Sequence, residues 1–316
     1  MSVATSPDRV DLIAFPGAPN LPIFVAMQER FFERAGVDVD LETTPSSSYQ
    51  IANLVAGKYQ IGATAFDNVV AYQEGQGAVE LDASPDLFAF MGATQIELSL
   101  VVAPDIEGYD DLRGRSLALD ALSTGFAFVL YHMLEHAGLG AGDYTLAAVG
   151  ATPQRWEAVK AGEHAGTLTI EPFTSLAVAN GFRILDTSRT ALDHYQGGVF
   201  AASRAWAAEN AGALAGFIRG YLRGLAWTLD PANRESATET LLRRMPAIKP
   251  QLAGAVMRKL LNPATGLTPM GRVDDAGVAA VLDLRSRYGS PARPLRDPGR
   301  YLDLSYYDQA LPLDSG

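Results

Sequence analysis

The sharpest chemical string in this chain is His132-Met133-Leu134-Glu135-His136, two imidazoles four residues apart around a carboxylate. On a helix that spacing puts both rings on one face, as in the zinc-peptidase pattern H-x-x-E-H. Such a site also needs a distal carboxylate, and the sequence identifies none. The string falls inside the second copy of a repeated helix, and the first copy, residues 26–34, carries Gln, Glu and Arg instead. A five-residue motif out of context is weak, so no metal and no cofactor is expected. Nucleophilic chemistry has no better footing. The chain contains no cysteine, which removes thiolate nucleophiles, thiolate metal sites and disulfides together. There is no G-x-S-x-G elbow, and His164 and His194 read as loop residues. The glycine-rich run Gly138-Leu139-Gly140-Ala141-Gly142 follows a helix, whereas a dinucleotide loop follows a strand; it reads as a helix terminator. No Walker pattern is present, and no residue is assigned a catalytic role.

What remains is a set of polar and aromatic groups at element ends. Asn20, Ser123 and Thr124 sit in loops that open helices, with Gly125 beside them, and can offer donors next to free helix-end amides. The alternative for Asn20, Ser123 and Thr124 is a turn or cap. Ser47 and Ser48 belong to the triplet Ser46-Ser47-Ser48 before a helix, where hydroxyls cap amides and can also receive a polar ligand group. Phe66-Asp67 and Glu171-Pro172 emerge from corresponding strand ends. Asp67 and Glu171 are ligand contacts or solvated rim charges, while Phe66, Phe173 and Tyr195 are stacking platforms or core. Gln95 closes the stretch Gly92-Ala93-Thr94-Gln95, where the chain passes between its two halves.

The elements that must position these groups occur twice. Strands over 11–15, 37–43 and 61–66 alternate with helices over 22–35 and 48–56; strands over 116–120, 144–149 and 167–171 alternate with helices over 126–137 and 153–160. Each helix ends in the same Ala-Gly, at 35–36, 56–57, 137–138 and 161–162. In the first helix Ile23, Met27 and Phe31 recur at i, i+4 and i+8 as its buried stripe. Each β-α-β-α-β copy makes a small parallel sheet with helices on both faces. The crevice between two such sheets, where strand and helix ends converge, is a ligand site. Strands over 87–90 and 98–102 hand the chain from one half to the other, and 195–202 returns it. Helices follow over 206–229, 234–244, 249–261 and 275–288. The tail 290–313, rich in Pro, Tyr and Asp, is expected to wrap over the first half.

The 316 residues suit two lobes better than one core. With 48% hydrophobic and 19% charged residues the composition is that of a soluble globular protein. A formal charge of −11 gives phosphate-backbone binding no electrostatic footing. No stretch approaches the roughly 20 apolar residues of a membrane span. Residues 1–9 show neither a basic n-region nor an apolar h-region. The expected location is therefore the periplasm or cell envelope if a signal peptide has been removed, and the cytoplasm if Met1 is the native start.

Taken in order, several segments resemble the solute-binding proteins of nitrate/sulfonate/taurine-type ABC importers, the group that includes thiamine-pyrimidine-precursor binders. The carriers are Leu21-Pro22-Ile23-Phe24-Val25-Ala26, the run from Phe31-Phe32-Glu33-Arg34-Ala35-Gly36 to Val39, Leu54-Val55-Ala56-Gly57, Asp111-Leu112-Arg113-Gly114-Arg115, His136-Ala137-Gly138-Leu139 and Ile170-Glu171-Pro172-Phe173. The resemblance implies an α/β, two-lobed type II periplasmic-binding-protein fold, each lobe a mainly parallel sheet flanked by helices, with a helical C-terminal extension. The expected division gives residues 1–97 and 203–316 to lobe 1 and 98–202 to lobe 2. It also implies cleft segments at Asn20, Ser46–Ser48, Phe66-Asp67, Ser123–Gly125 and Glu171-Pro172. Gln60 and Ala165 stand where related proteins commonly carry Asp. Sulfonate and nitrate binders are expected to have positive or donor-rich clefts, whereas the candidates here include Asp67, Asp120 and Glu171 with Arg155 as the one nearby cation. That balance favours a neutral or amine-bearing, heteroaromatic type of ligand over a simple oxyanion.

The function expected is capture of a small molecule by hinge closure, as the solute-binding component of an ABC-type importer. The expected partners are that ligand and an ABC permease, without nucleic acid or membrane insertion, and the protein is expected to be a monomer. The alternative is a cytosolic lyase, decarboxylase or hydrolase on the same fold, with Asp67 or Glu171 as acid or base. Two enzyme types known on the fold, a pyrimidine-synthesis enzyme and a desulfinase, are associated with essential cysteines that this chain lacks.

Overall fold

The computed structural model describes residues 7–83 and 85–311; the last two residues of the expected tail, Pro312 and Leu313, lie outside the described residues. Among the described residues, ten strands form two five-stranded sheets. β1 (Asp8–Ala14), β2 (Val37–Thr43), β3 (Ile61–Ala65), β4 (Leu87–Thr94) and β10 (Gly198–Ser203) make the first, in the order β2-β1-β3-β10-β4. β5 (Ser99–Val102), β6 (Ser116–Leu119), β7 (Thr145–Ala148), β8 (Gly166–Thr169) and β9 (Arg183–Thr187) make the second, in the order β7-β6-β8-β5-β9. The two orders correspond position by position. In each sheet three parallel strands from one β-α-β-α-β unit accept an antiparallel strand on the open side. The antiparallel strand arrives from the other half: β4 leads across to β5, and β9 leads back to β10.

Strand alternation shows why the first sheet is covered on both faces. Val10, Leu12, Phe88, Phe90, Phe200 and Ala202 pack with Phe217 and Tyr221 of helix Ala211–Leu229. Ile13, Ala89, Val199 and Ala201 point the other way, toward Leu54 and Val69. Side chains alternate faces along a strand, and burying each large apolar one stabilises by roughly 1.5–3 kcal/mol. The second apolar cluster does not stop at the lobe boundary. Helix Asp275–Tyr288 packs on helix Phe66–Gln73 of the first lobe and on helix Gly125–His136 of the second, so it fastens the two lobes along one side.

Several boundaries differ from the sequence expectation. The helix expected over 22–35 is two, Leu21–Gln28 and Phe31–Arg34, because Arg30 adopts a left-handed φ of 57°. The break turns Phe32 onto Phe217, with ring centroids 5.3 Å apart. The helix expected over 206–229 divides at Asn210 into Arg204–Glu209 and Ala211–Leu229. Phe66 and Asp67 do not end a strand; they form the first turn of helix Phe66–Gln73. β10 belongs to the first sheet although the division at 202/203 placed it with the second lobe, since it pairs with both β3 and β4 and satisfies their facing edges. The tail lies on the first lobe: the Ala89 amide donates to the Tyr301 carbonyl at 2.8 Å, and the Asp303 amide donates to the Ala89 carbonyl at 3.0 Å.

Candidate functional site

Between the sheets lies a cavity of about 890 Å³ of empty space, counted out to its mouth, with residues of both lobes in its wall. The wall is mostly apolar, with Phe15, Ile23, Ile96, Phe126, Ile170 and Phe200 among its members. Helices Ser47–Val55, Gly125–His136 and Thr152–Lys160 begin at it, so the positive N-terminal ends of helices face it from the first lobe and from the second. Their caps follow from local sequence. Ser46 Oγ accepts from the Tyr49 amide at 3.2 Å, and Thr124 Oγ1 accepts from the Ala127 amide at 3.4 Å.

The lobes touch around this cavity. The Ser47 amide donates to Asp120 Oδ2 at 3.1 Å. The Ala151 amide donates to the Pro45 carbonyl at 3.0 Å, and the Ala18 amide to the Glu171 carbonyl at 3.1 Å. These bonds belong to a closed arrangement. At the crossing of the lobes Ile96 has a left-handed φ of 46°, a conformation that strains a β-branched residue. A Cβ on Gly197 of the opposite crossing segment would come within 2.6 Å of the Ile96 side chain, so that glycine gives Ile96 its space.

The polar residues of the wall are uneven in how well they are satisfied. Arg155 is only 2% exposed. Its Nε donates to Thr167 Oγ1 at 3.0 Å, Nη1 to the Gly150 carbonyl at 2.8 Å, and Nη2 to Thr152 Oγ1 and the Leu168 carbonyl. All four acceptors are neutral, and among the described residues no ion pair joins Arg155 to a carboxylate. Burial lowers its pKa to about 10, with the charge of Asp120 opposing the shift. Asp120 Oδ1 and Ser47 Oγ are buried with no hydrogen-bond partner among the described residues.

The structure separates the residues singled out from sequence into four groups. Asn20, Ser47, Thr124 and Gly125 line the cavity; the Asn20 side-chain amide donates to the Phe15 carbonyl at 2.8 Å. Glu171 lines a smaller adjoining pocket of about 470 Å³, where Lys259 Nζ lies 3.2 Å from Oε1 and the Ser175 amide donates to Oε2 at 3.3 Å. Gln95 and Tyr195 line a groove behind the crossing. Phe66, Asp67, Ser48 and Ser123 are not in the cavity wall. Phe66 is fully buried and packs edge-on against Tyr301; its place in the first turn of a helix turns the ring into the core. Asp67 is consumed by Arg285, and the Ser123 carbonyl accepts from the same guanidinium. Ser48 lies toward Tyr72. The buried Tyr195 hydroxyl has its pKa raised well above 10, first by burial and then by the charge of Asp67.

The chain repeat contains a signal for one residue that sequence reasoning passed over. The register that aligns Gly57 with Gly162 places Ser47 on Thr152, and both line the cavity at helix starts. Thr64, Asn68 and Thr94 also line it, and nothing in their local sequence marks them. The H-x-x-E-H string is dispersed: His132 Nε2 bonds the Ala191 carbonyl at 3.1 Å, while Glu135 Oε2 takes Arg287 and the Tyr288 hydroxyl. No group of three or more metal-ligating side chains occurs among the described residues. No helix among them is long and apolar enough to cross a membrane.

Two α/β lobes joined by crossing strands, with a cavity between them, define a type II periplasmic-binding-protein fold. The sequence matches the profile of the NMT1-like family over residues 5–242, and the chain belongs to that family. A protein of Bordetella bronchiseptica RB50 superposes with a TM-score of 0.77 at 21% identity, over 96% of this chain and 97% of that one. The aliphatic sulphonate-binding protein SsuA of Escherichia coli gives 0.69 at 20% identity, over 96% and 100%. The desulfurization enzyme DSZB gives 0.63 at 13% identity, over 96% and 98%. A comparison with curated protein sequences finds no match.

Proposed function

We propose that this protein is the solute-capturing component of an ABC-type importer, whose lobes close over one small molecule and present it to a permease. The observation that carries the reading is the cavity itself: its wall comes from both lobes, it is largely apolar, and bonds between the lobes surround it. A ligand touching both walls binds the closed form better than the open form, and that difference drives the hinge. The sulphonate-binding SsuA of E. coli has the same fold over nearly the whole chain, which supports a transport role. In this reading the protein works outside the cytoplasmic membrane, in the periplasm or cell envelope.

The test is a thermal-shift screen of small sulfonates, carboxylates, amines and aromatic heterocycles, followed by small-angle scattering on the hits. A captured solute raises the melting temperature by mass action and reduces the radius of gyration. Mass spectrometry of the solute after incubation then separates the two activities. A binder returns it unaltered, whereas a lyase, decarboxylase or hydrolase returns a product and overturns the transport reading.

A further inference from the structure

Arg155 has a counterpart in the first lobe that explains only part of what it does. The register that aligns Gly57 with Gly162 places Gln50 on Arg155, and the two side chains brace their sheets in the same way. Gln50 Nε2 donates to the carbonyls of Ile13 and Ala63. Arg155 Nη2 donates to the carbonyl of Leu168, the residue that aligns with Ala63. A neutral amide therefore suffices for the bracing. In the second lobe the same task is given to a guanidinium, which places a full positive charge in the wall of an apolar cavity. A buried cation is costly unless something pairs with it.

Asp120 holds the opposite charge in the same wall without meeting it. Oδ2 takes the Ser47 amide across the lobe boundary, while Oδ1 and the neighbouring Ser47 Oγ are left without partners. Ser47 is 2% exposed, so bulk water does not serve these atoms freely. An unpaired acceptor is an unfavourable neighbour for an oxyanion and a favourable one for an N–H or ammonium donor.

We propose that the cavity selects a small molecule with an apolar body and an amphoteric head, which donates to Asp120 and Ser47 and accepts from Arg155. This deepens the solute-capture reading and rests on it. The head satisfies the unpaired Asp120 Oδ1 and the unpaired Ser47 hydroxyl and gives the guanidinium a negative or carbonyl partner, while the apolar walls take the body. A simple sulfonate or nitrate could accept from Arg155 and the Ser47 hydroxyl but would leave the unpaired Asp120 carboxylate oxygen facing it.

The experiment compares benzylamine, which only donates, with benzoate and benzenesulfonate, which only accept, and phenylglycine, which does both on the same ring. Calorimetry and thermal shift are run on the wild type, Asp120→Asn and Arg155→Met. Phenylglycine is expected to bind the wild type best. Asp120→Asn should weaken phenylglycine by about tenfold or more and strengthen benzoate, since the repelling charge is gone while Arg155 remains. If benzenesulfonate ranks first in the wild type, or Asp120→Asn leaves the ranking unchanged, the amphoteric head is wrong and solute capture stands. If none of the four, and no hit from the wider screen, shifts the wild type, solute capture fails and the head falls with it. Circular dichroism of each variant, with Asp120→Ser as a second substitution, separates lost binding from lost folding.

Discussion

Asp67 and Arg285 form a two-pronged ion pair in the interior, with Nε–Oδ1 at 2.8 Å and Nη2–Oδ2 at 2.5 Å and both side chains essentially without solvent exposure. The same guanidinium donates to the Ser123 carbonyl at 2.8 Å and to the Gln76 carbonyl at 3.2 Å, and lies 4.4 Å from the centre of the Phe128 ring. Asp67 and Gln76 belong to the first lobe, Ser123 and Phe128 to the second. One cation therefore holds both lobes from the back. Removing one partner of a buried pair strands the other charge, at about 3–5 kcal/mol. Arg285→Met and Asp67→Asn are each expected to lower the unfolding free energy by that order in urea titrations. Replacing both with Met and Leu should recover much of the loss, because the stranded charge is gone.

Gly125 of the second lobe packs directly against this pair. A Cβ there would sit 2.5 Å from Asp67 Cβ and 2.7 Å from the Tyr195 hydroxyl, closer than non-bonded atoms approach. Gly125→Ala is expected to hold the lobes apart, so that solute affinity falls about tenfold or more while the fold remains. Scattering should show a radius of gyration that no longer decreases with solute. A variant that closes normally would show that neighbouring side chains absorb the methyl group.

Glu171 meets Lys259 at 3.2 Å beside the cavity, and the lysine side chain is 41% exposed. An ion pair with one exposed partner contributes about 0–1 kcal/mol. Glu171→Gln is therefore expected to leave the melting temperature of the solute-free protein nearly unchanged. The solute dissociation rate should rise, because Glu171 and Lys259 come from opposite sides of the closed cleft. Stopped-flow measurement checks the second point. A loss of several kcal/mol in the solute-free protein would make Glu171 a fold residue.

Buried and half-buried tyrosines set the alkaline limit. Burial pushes Tyr131 up to about 12 and Tyr195 well above 10. A group with a raised folded-state pKa contributes stability that is whole below the unfolded value near 10 and is lost as pH rises through the folded value. Unfolding free energy should hold up to about pH 10 as far as these groups are concerned, then fall between 10 and 12. Tyrosinate absorbance near 295 nm should rise in two stages, the later one together with loss of the far-ultraviolet signal. A single stage near pH 10 in folded protein would contradict the raised pKa of these hydroxyls.

The repeat was legible because it is written in local chemistry. Ala-Gly terminators at 35–36, 56–57, 137–138 and 161–162, hydroxyl caps at Ser46 and Thr124, and apolar strands such as 61–65 each specify their element from a few neighbouring residues. Two similar β-α-β-α-β units then imply two similar sheets with a cleft at the shared ends of their strands and helices. Asn20, Ser47, Thr124 and Gly125 could be placed near that cleft because they stand at helix starts, where position in sequence and position in space coincide.

What the sequence could not decide was which charges face each other. Asp67 and Arg285 are 218 residues apart, and only the docking of helix Asp275–Tyr288 against both lobes brings them together. That pairing removed Asp67 from the cleft and left Asp120 and Arg155 as its poles. Phe66 was lost to the core in the same way, because a helix begins where the expected strand had its last residue. Propensity and capping act over a few residues and fix the elements. Charge pairing and burial act across the packed interior, so their outcome belongs to the tertiary structure.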